Sequence, residues 1–119
     1  MGQNVWVKSG TVRSLFTPTD ATGTGVTTTA TSKWNYKDSP DATFQAVVTG
    51  TGAVTATVVI EMSNDGVNAL ETAAGTITLS GTTTSTDGFT TSNAPWKYAR
   101  ARITAISGTG AIVQVYMGV

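Results

Sequence analysis

The chain contains no cysteine and no histidine. The first absence rules out disulfides and thiolate metal sites and suits a protein made in a reducing cytoplasm. The second removes the usual general base, the Ser-His-Asp and Cys-His nucleophile systems, and nearly all zinc and copper sites. Charge is scarce too. Charged residues make up 12% of the chain, with seven basic against seven acidic, and a soluble domain usually carries about 25%. Nucleic-acid binders show a basic stripe, and here the only close cationic cluster is Arg100 with Arg102, so no direct nucleic-acid contact is expected. No stretch approaches the roughly 18 apolar residues of a membrane-spanning helix. Met1-Gly2-Gln3-Asn4 does not begin a basic region followed by an apolar run, so neither a membrane partner nor a secretory leader is expected.

Helical periodicity is missing as well. No window places apolar residues at i, i+3, i+4 and i+7 with caps at both ends. Threonine dominates instead, at about a fifth of the residues. It is β-branched and favours extended backbone, while its hydroxyl keeps an outward strand face soluble without charge. A free monomer with so little charge is prone to self-association, whereas a subunit that packs into an assembly has less need of charged protection. The 119 residues, 39% of them hydrophobic, fit a single domain over 1–119 with a real core.

Period-2 patterns mark the strands. Val5-Trp6-Val7 and Val12 to Phe16 are short apolar runs, and 1–16 reads as an edge strand or as an arm that docks on a partner. Val26 to Thr31 is a Thr-rich strand candidate, and Trp34 and Tyr36, two apart, share a face. From Phe44 the alternation sharpens. Phe44, Ala46 and Val48 form one inward face, then Val54, Ala56, Val58, Ile60 and Met62. Thr49-Gly50-Thr51-Gly52-Ala53 lies between these runs and reads as a hairpin turn. The same unit recurs at Ser107-Gly108-Thr109-Gly110-Ala111, with Ala99, Ala101, Ile103 and Ala105 inward before it and Val113, Val115 and Met117 after it. Ser63-Asn64-Asp65-Gly66 is a strong turn signal. Gly81 to Thr86 is polar, and Phe89 reads as dipping into the core from a loop. About eight short strands at intervals of about 8–12 residues predict an all-β, antiparallel two-sheet sandwich. A jelly-roll type is favoured, with an immunoglobulin-like sandwich as its rival.

Chemistry finds few footholds. The carboxylates are Asp20, Asp38, Asp41, Glu61, Asp65, Glu71 and Asp87. A glycosidase needs two across a cleft, but Asp38 and Asp41 flank a proline turn and Glu61 points outward, so no catalytic, cofactor or metal residue is assigned. Asn64-Asp65-Gly66 lacks the spaced acids of a calcium loop and is better read as a turn. The aromatics Trp34, Tyr36, Trp96 and Tyr98 could stack on sugar rings if exposed, or plug the core if not. Arg100 and Arg102 share a strand face and could pair with acids of a neighbouring subunit or with local acids. The candidate interface residues are Val5, Trp6, Leu15, Phe16, Trp34, Tyr36, Arg100 and Arg102.

Several stretches carry a resemblance. They are Ile60-Glu61-Met62-Ser63-Asn64-Asp65-Gly66-Val67-Asn68, Gly75 to Thr82, Thr86-Asp87-Gly88-Phe89, Ala94-Pro95-Trp96-Lys97-Tyr98-Ala99-Arg100-Ala101, and Ser107 through Val119. Together, over Phe44 to Val119, they resemble small virion structural proteins of tailed bacteriophages. The resemblance implies a non-enzymatic β-module without cofactors, foremost a capsid cement or decoration protein on the virion surface, made in the host cytoplasm. Its implied partners are the major capsid protein and copies of itself, as a dimer or trimer. The alternative it leaves open is a tail- or fibre-associated module that binds a receptor glycan.

Overall fold

A computed structural model describes residues 6–7, 12–16 and 25–119. Val5 lies outside the described residues, as do residues 17–24 and the side chains of Trp6 and Val7. The described chain is all-β. Its strands are β1 (Trp6–Val7), β2 (Val12–Ser14), β3 (Ala30–Thr31), β4 (Asn35–Lys37), β5 (Ala42–Ser63), β6 (Gly75–Thr91) and β7 (Tyr98–Gly118). They join one seven-stranded sheet in the order β1-β4-β7-β5-β6, with β2 and β3 also paired to β7. All pairings are antiparallel except β1 with β4.

The two Gly-rich segments do not reverse the chain. Thr49 to Ala53 lies inside β5, and Ser107 to Ala111 lies inside β7. The two strands pair with each other from Thr43↔Gly118 to Ser63↔Tyr98, with register shifts at the glycines. The hairpin reading is corrected because the flanking residues gain more from long ladders than from each other. A lone two-stranded hairpin is marginal in water, whereas β5 as a bent strand has β6 on one side and β7 on the other along most of its length. The polar stretch Gly81 to Thr86 is part of β6, and Phe89 stands in that strand and not in a loop.

Bending is required by size. A 22-residue strand laid straight would span about 70 Å, yet the longest axis of the molecule is 41 Å. Phe89 shows the fold-over directly, because a β-carbon added at Gly75 would lie 2.6 Å from its ring. Gly75 and Phe89 sit near opposite ends of the same strand. The sheet thus closes on itself, and its concave side holds one core. The even-numbered apolar residues from Ala42 to Met62 are buried along β5, joined by Ile77 and Leu79 of β6 and by Ala99, Ala101, Ile103, Val113, Val115 and Met117 of β7. Each large aliphatic side chain in this set contributes roughly 1.5–3 kcal/mol by leaving water.

One inward position is corrected by a bulge. Val58 faces Ile103, but Thr57 faces Ala105, so β7 holds one extra residue there. Ala105 is turned out to solvent and Ile106 packs against the core in its place. A bulge of this kind inverts the alternation beyond it.

The N-terminal part runs along the outer edge of β7 in short pieces. Val12–Ser14 pairs with Tyr116 to Gly118, Val26 bridges Val113, Ala30–Thr31 pairs with Arg102 and Ile103, and Asn35–Tyr36 pairs with Tyr98 and Ala99. Leu15 is wholly buried in the core and Phe16 packs against it. The corner of β6 carries backbone strain: Thr83 has φ 62°, a left-handed conformation that a β-branched residue rarely adopts. Thr83→Asn is expected to raise stability by about 1 kcal/mol, seen as a rise of several degrees in melting temperature. An unchanged or lower midpoint would show that the threonine side chain offsets its own strain.

Candidate interaction surface

The convex side of the sheet is where the proposed interface residues gather. Ladder register sets Glu61 opposite Arg100 and Ser63 opposite Tyr98, while Tyr36 faces Tyr98 from the other side. Glu61, Arg100, Tyr36 and Tyr98 alternate with buried neighbours and project outward, whereas Ser63 is itself buried. Arg100 Nε donates to Glu61 Oε1 at 2.7 Å, and Arg102 Nε donates to Glu61 Oε2 at 3.3 Å. One carboxylate therefore holds both guanidinium groups. The side chains of Glu61 and Arg100 retain 12% and 24% of their exposure against 43% for Arg102. The Arg102 contact is the wetter of the two, and such exposed pairs are worth at most about 1 kcal/mol. The Arg100 guanidinium also lies 4.4 Å from the centre of the Trp34 ring, within reach of a cation–π attraction.

Tyr36 and Tyr98 meet edge to face, ring centres 5.5 Å apart, the arrangement their quadrupoles favour. Trp34 and Tyr36 do share a face, and both are half-buried. Arg100 lies over the Trp34 ring and Tyr98 packs on Tyr36, so each ring already has a partner within the chain. Trp6 stands opposite Tyr36 in the β1–β4 ladder. Leu15, fully buried, belongs to the chain's own core and is not a surface residue. Of the interface candidates, then, Arg100, Arg102 and Trp34 come together around Glu61, while Tyr36 packs on Tyr98. That convergence was half legible: the outward position of Glu61 follows from period 2, whereas its pairing with both arginines depends on a register that the sequence does not state.

No family model matches the chain, and no curated protein or solved structure matches it.

Two features had no sequence signal. Lys37 is 1% exposed on the inward side of β4. Its ammonium donates to the carbonyls of Ser39 at 2.8 Å and Ala94 at 2.5 Å. Burial pushes its pKa down, Lys97 adds to that, and Asp41 opposes it. It fastens the turn after β4 to the segment entering β7, which is a structural task. The other feature is a cleft of about 480 Å³ between the 70–74 connection and residues 90–96. Met62 and Leu70 line its floor, Thr91 and Ser92 supply hydroxyls, and Trp96, 37% exposed, stands at its side.

The Ser63–Asn68 turn is held mostly by its own polar groups, apart from Asn64 Oδ1, which accepts from the Lys97 backbone N–H at 3.0 Å. Asp65 Oδ1 accepts from the backbone N–H of Val67 at 2.9 Å and of Asn68 at 2.8 Å, and from Ser63 Oγ at 2.7 Å. These bonds, the Asn68 backbone first, hold the Asp65 carboxyl far below its usual value of 3.8. Its carboxylate is a loop clasp, and among the described residues no cluster of acids suited to a metal ion occurs. A depressed carboxylate stabilises the fold above its unfolded pKa and loses that contribution as pH falls. Wild-type stability should therefore drop on acidification below about pH 4, and the Asp65→Ala variant should show a shallower drop. Identical acid profiles in urea melts would count against the clasp.

Proposed function

We propose that this protein is a non-enzymatic virion structural module, a capsid cement protein that binds the outside of an assembled shell and stabilises it. The observation that carries this reading is the character of the convex surface. Along β5 and β6 its exposed positions include Thr43, Gln45, Thr49, Thr55, Thr76, Thr78, Ser80 and Thr86, neutral residues that permit close approach to a neighbour without burying charge. The few charges there, Glu61 with Arg100 and Arg102, already satisfy one another. The chain's lack of histidine and cysteine supports the same reading. We take the folded sheet as the sandwich of jelly-roll type, its two layers made by the two halves of β5, β6 and β7. A protein that binds only the assembled shell stabilises that state by mass action, and many identical contacts act multivalently.

A second reading, a tail- or fibre-associated glycan-binding module, is favoured by one feature. Trp96, partly exposed, lines a cleft with threonine and serine residues, a combination that suits stacking on a sugar ring. Cryo-electron microscopy of the particle that carries this protein separates the two. Density at regular positions between shell subunits supports the cement role. Density confined to the tail, with glycan binding lost in Trp96→Ala, supports the second reading and overturns the first.

A further inference from the structure

Strand β6 forms one margin of the sheet. From Gly75 to Thr91 it pairs with β5 on one side, and no described strand pairs with the other. Natural edge strands are blunted by charges, prolines, bulges or shortness, because bare backbone N–H and C=O groups invite another strand. The second half of β6 carries such devices. Asp87 occupies a position opposite the buried Ala46, so a charge sits on the core-facing register, and the left-handed Thr83 breaks the run. The first half has no charge, proline or bulge, and its one capped donor lies near its end, where the Ser80 N–H donates to Ser85 Oγ at 3.2 Å. Gly75-Thr76-Ile77-Thr78-Leu79-Ser80-Gly81-Thr82 has no charge and no proline, and its ladder with β5 is unbroken from Gly75 to Thr82.

The opposite margin is different. There the outer edge of β7 is covered by β2, Val26, β3 and β4, and the outermost strand, β1, is two residues long. Among the described residues the molecule thus has a single long edge that no strand covers. A head-to-tail contact would need a second long edge to receive it. The N-terminal strands cannot serve as a donated arm while they lie along β7 and β4 of their own chain. The match for this edge is the same edge of another copy, which gives a self-complementary contact that closes as a two-fold dimer.

We infer that Gly75 to Thr82 is a dimerisation edge, through which two copies pair antiparallel and extend the sheet across a two-fold axis. Thr76, Thr78 and Ser80, all exposed, meet their counterparts on the outer face, where cross-strand threonine pairs are favourable. An axis through the middle of the run brings Thr78 close to its own copy. The inference does not rest on the cement reading, because the dimer forms in free solution without shell or glycan.

The test is mass in solution by light scattering and sedimentation over a range of concentrations at low salt. The wild-type chain, of mass 12.2 kDa, is expected at twice that mass. The double variant Thr76→Lys/Thr78→Lys changes exposed side chains only, so its circular dichroism should match wild type. Its dimer dissociation constant should rise on the order of a hundredfold, since like charges face each other across the pair. An equimolar mixture with Thr76→Glu/Thr78→Glu should restore the dimer. If the lysine variant misfolds, Thr78→Lys alone serves the same comparison. A monomeric or trimeric wild type, a dimer indifferent to the lysines, or no rescue by the glutamate partner would each overturn the inference.

Discussion

Gly108→Ala is expected to lower the free energy of unfolding by about 3 kcal/mol, whereas Gly110→Ala should cost about 1 kcal/mol. Both glycines lie at the corner of β7 with positive φ, 121° and 65°. The second value is the left-handed region that other residues reach at modest cost, and a β-carbon added at Gly110 would meet nothing within 4 Å. The first falls outside that region, and a β-carbon at Gly108 would lie 2.7 Å from the carbonyl oxygen of Ala53 and 2.9 Å from Val54 Cγ1. That obstruction comes from β5. The corners of the two long strands cross in contact, so neither can widen without parting the other. Urea titration reads the difference as a shift in midpoint at constant slope. Two separate hairpins would leave Gly108 clear of Ala53, so equal small losses at both positions would contradict the bent-strand architecture.

This corner marks where the sequence stopped being legible. The apolar parity along β5 is unbroken, even-numbered from Ala42 to Met62. A reversal over Thr49 to Ala53 would set Val48 opposite Val54, both inward, and a bend that continues the strand leaves them inward too. Local pattern and turn chemistry therefore agree with both outcomes, and the choice is made by partners distant in sequence. Strand existence and the inward sets at Phe44 to Val48, Val54 to Met62 and Val113 to Met117 could be read directly, because period 2 depends on the residues themselves. The bulge that turns Ala105 outward could not be read, since alanine and threonine fit either face. At the surface, the shared face of Trp34 and Tyr36 follows from spacing. The Glu61 clamp on Arg100 and Arg102 and the burial of Lys37 follow from strand order, which spacing does not encode.

Strand order also explains why a chain with so little charge is arranged as it is. Each charged side chain on the central strands is matched within the sheet, as Glu61 is by two arginines, so the convex face offers hydroxyls and amides to a neighbour. The same economy leaves the first half of β6 unprotected. A low-charge surface and an uncovered edge are liabilities for a monomer, and they become compatible with solubility once the edge is paired and the face is covered.

Phe44→Ala should be among the most damaging single changes in the protein, at about 3–5 kcal/mol. Phe44 is 1% exposed, and its ring centre lies 5.4 Å from that of Phe89, tilted by 30°. Phe89 in turn rests against Gly75, where no side chain intervenes. The three residues join the first half of β5 to both ends of β6, so this contact closes the open side of the folded sheet. Phe89 is only half-buried, and Phe89→Ala should cost less, about 2–3 kcal/mol. The double variant should lose less than the sum of the two, by about 0.5–1.5 kcal/mol, because the ring–ring contact is counted in each single change. Strict additivity in thermal or urea melts would mean that the rings do not couple and that the closure is held elsewhere in the core. Gly75 also begins the run inferred to pair between copies. Loosening Phe89 should therefore weaken the dimer as well as the fold, while Gly110→Ala, at the far corner, should leave the dimer unchanged.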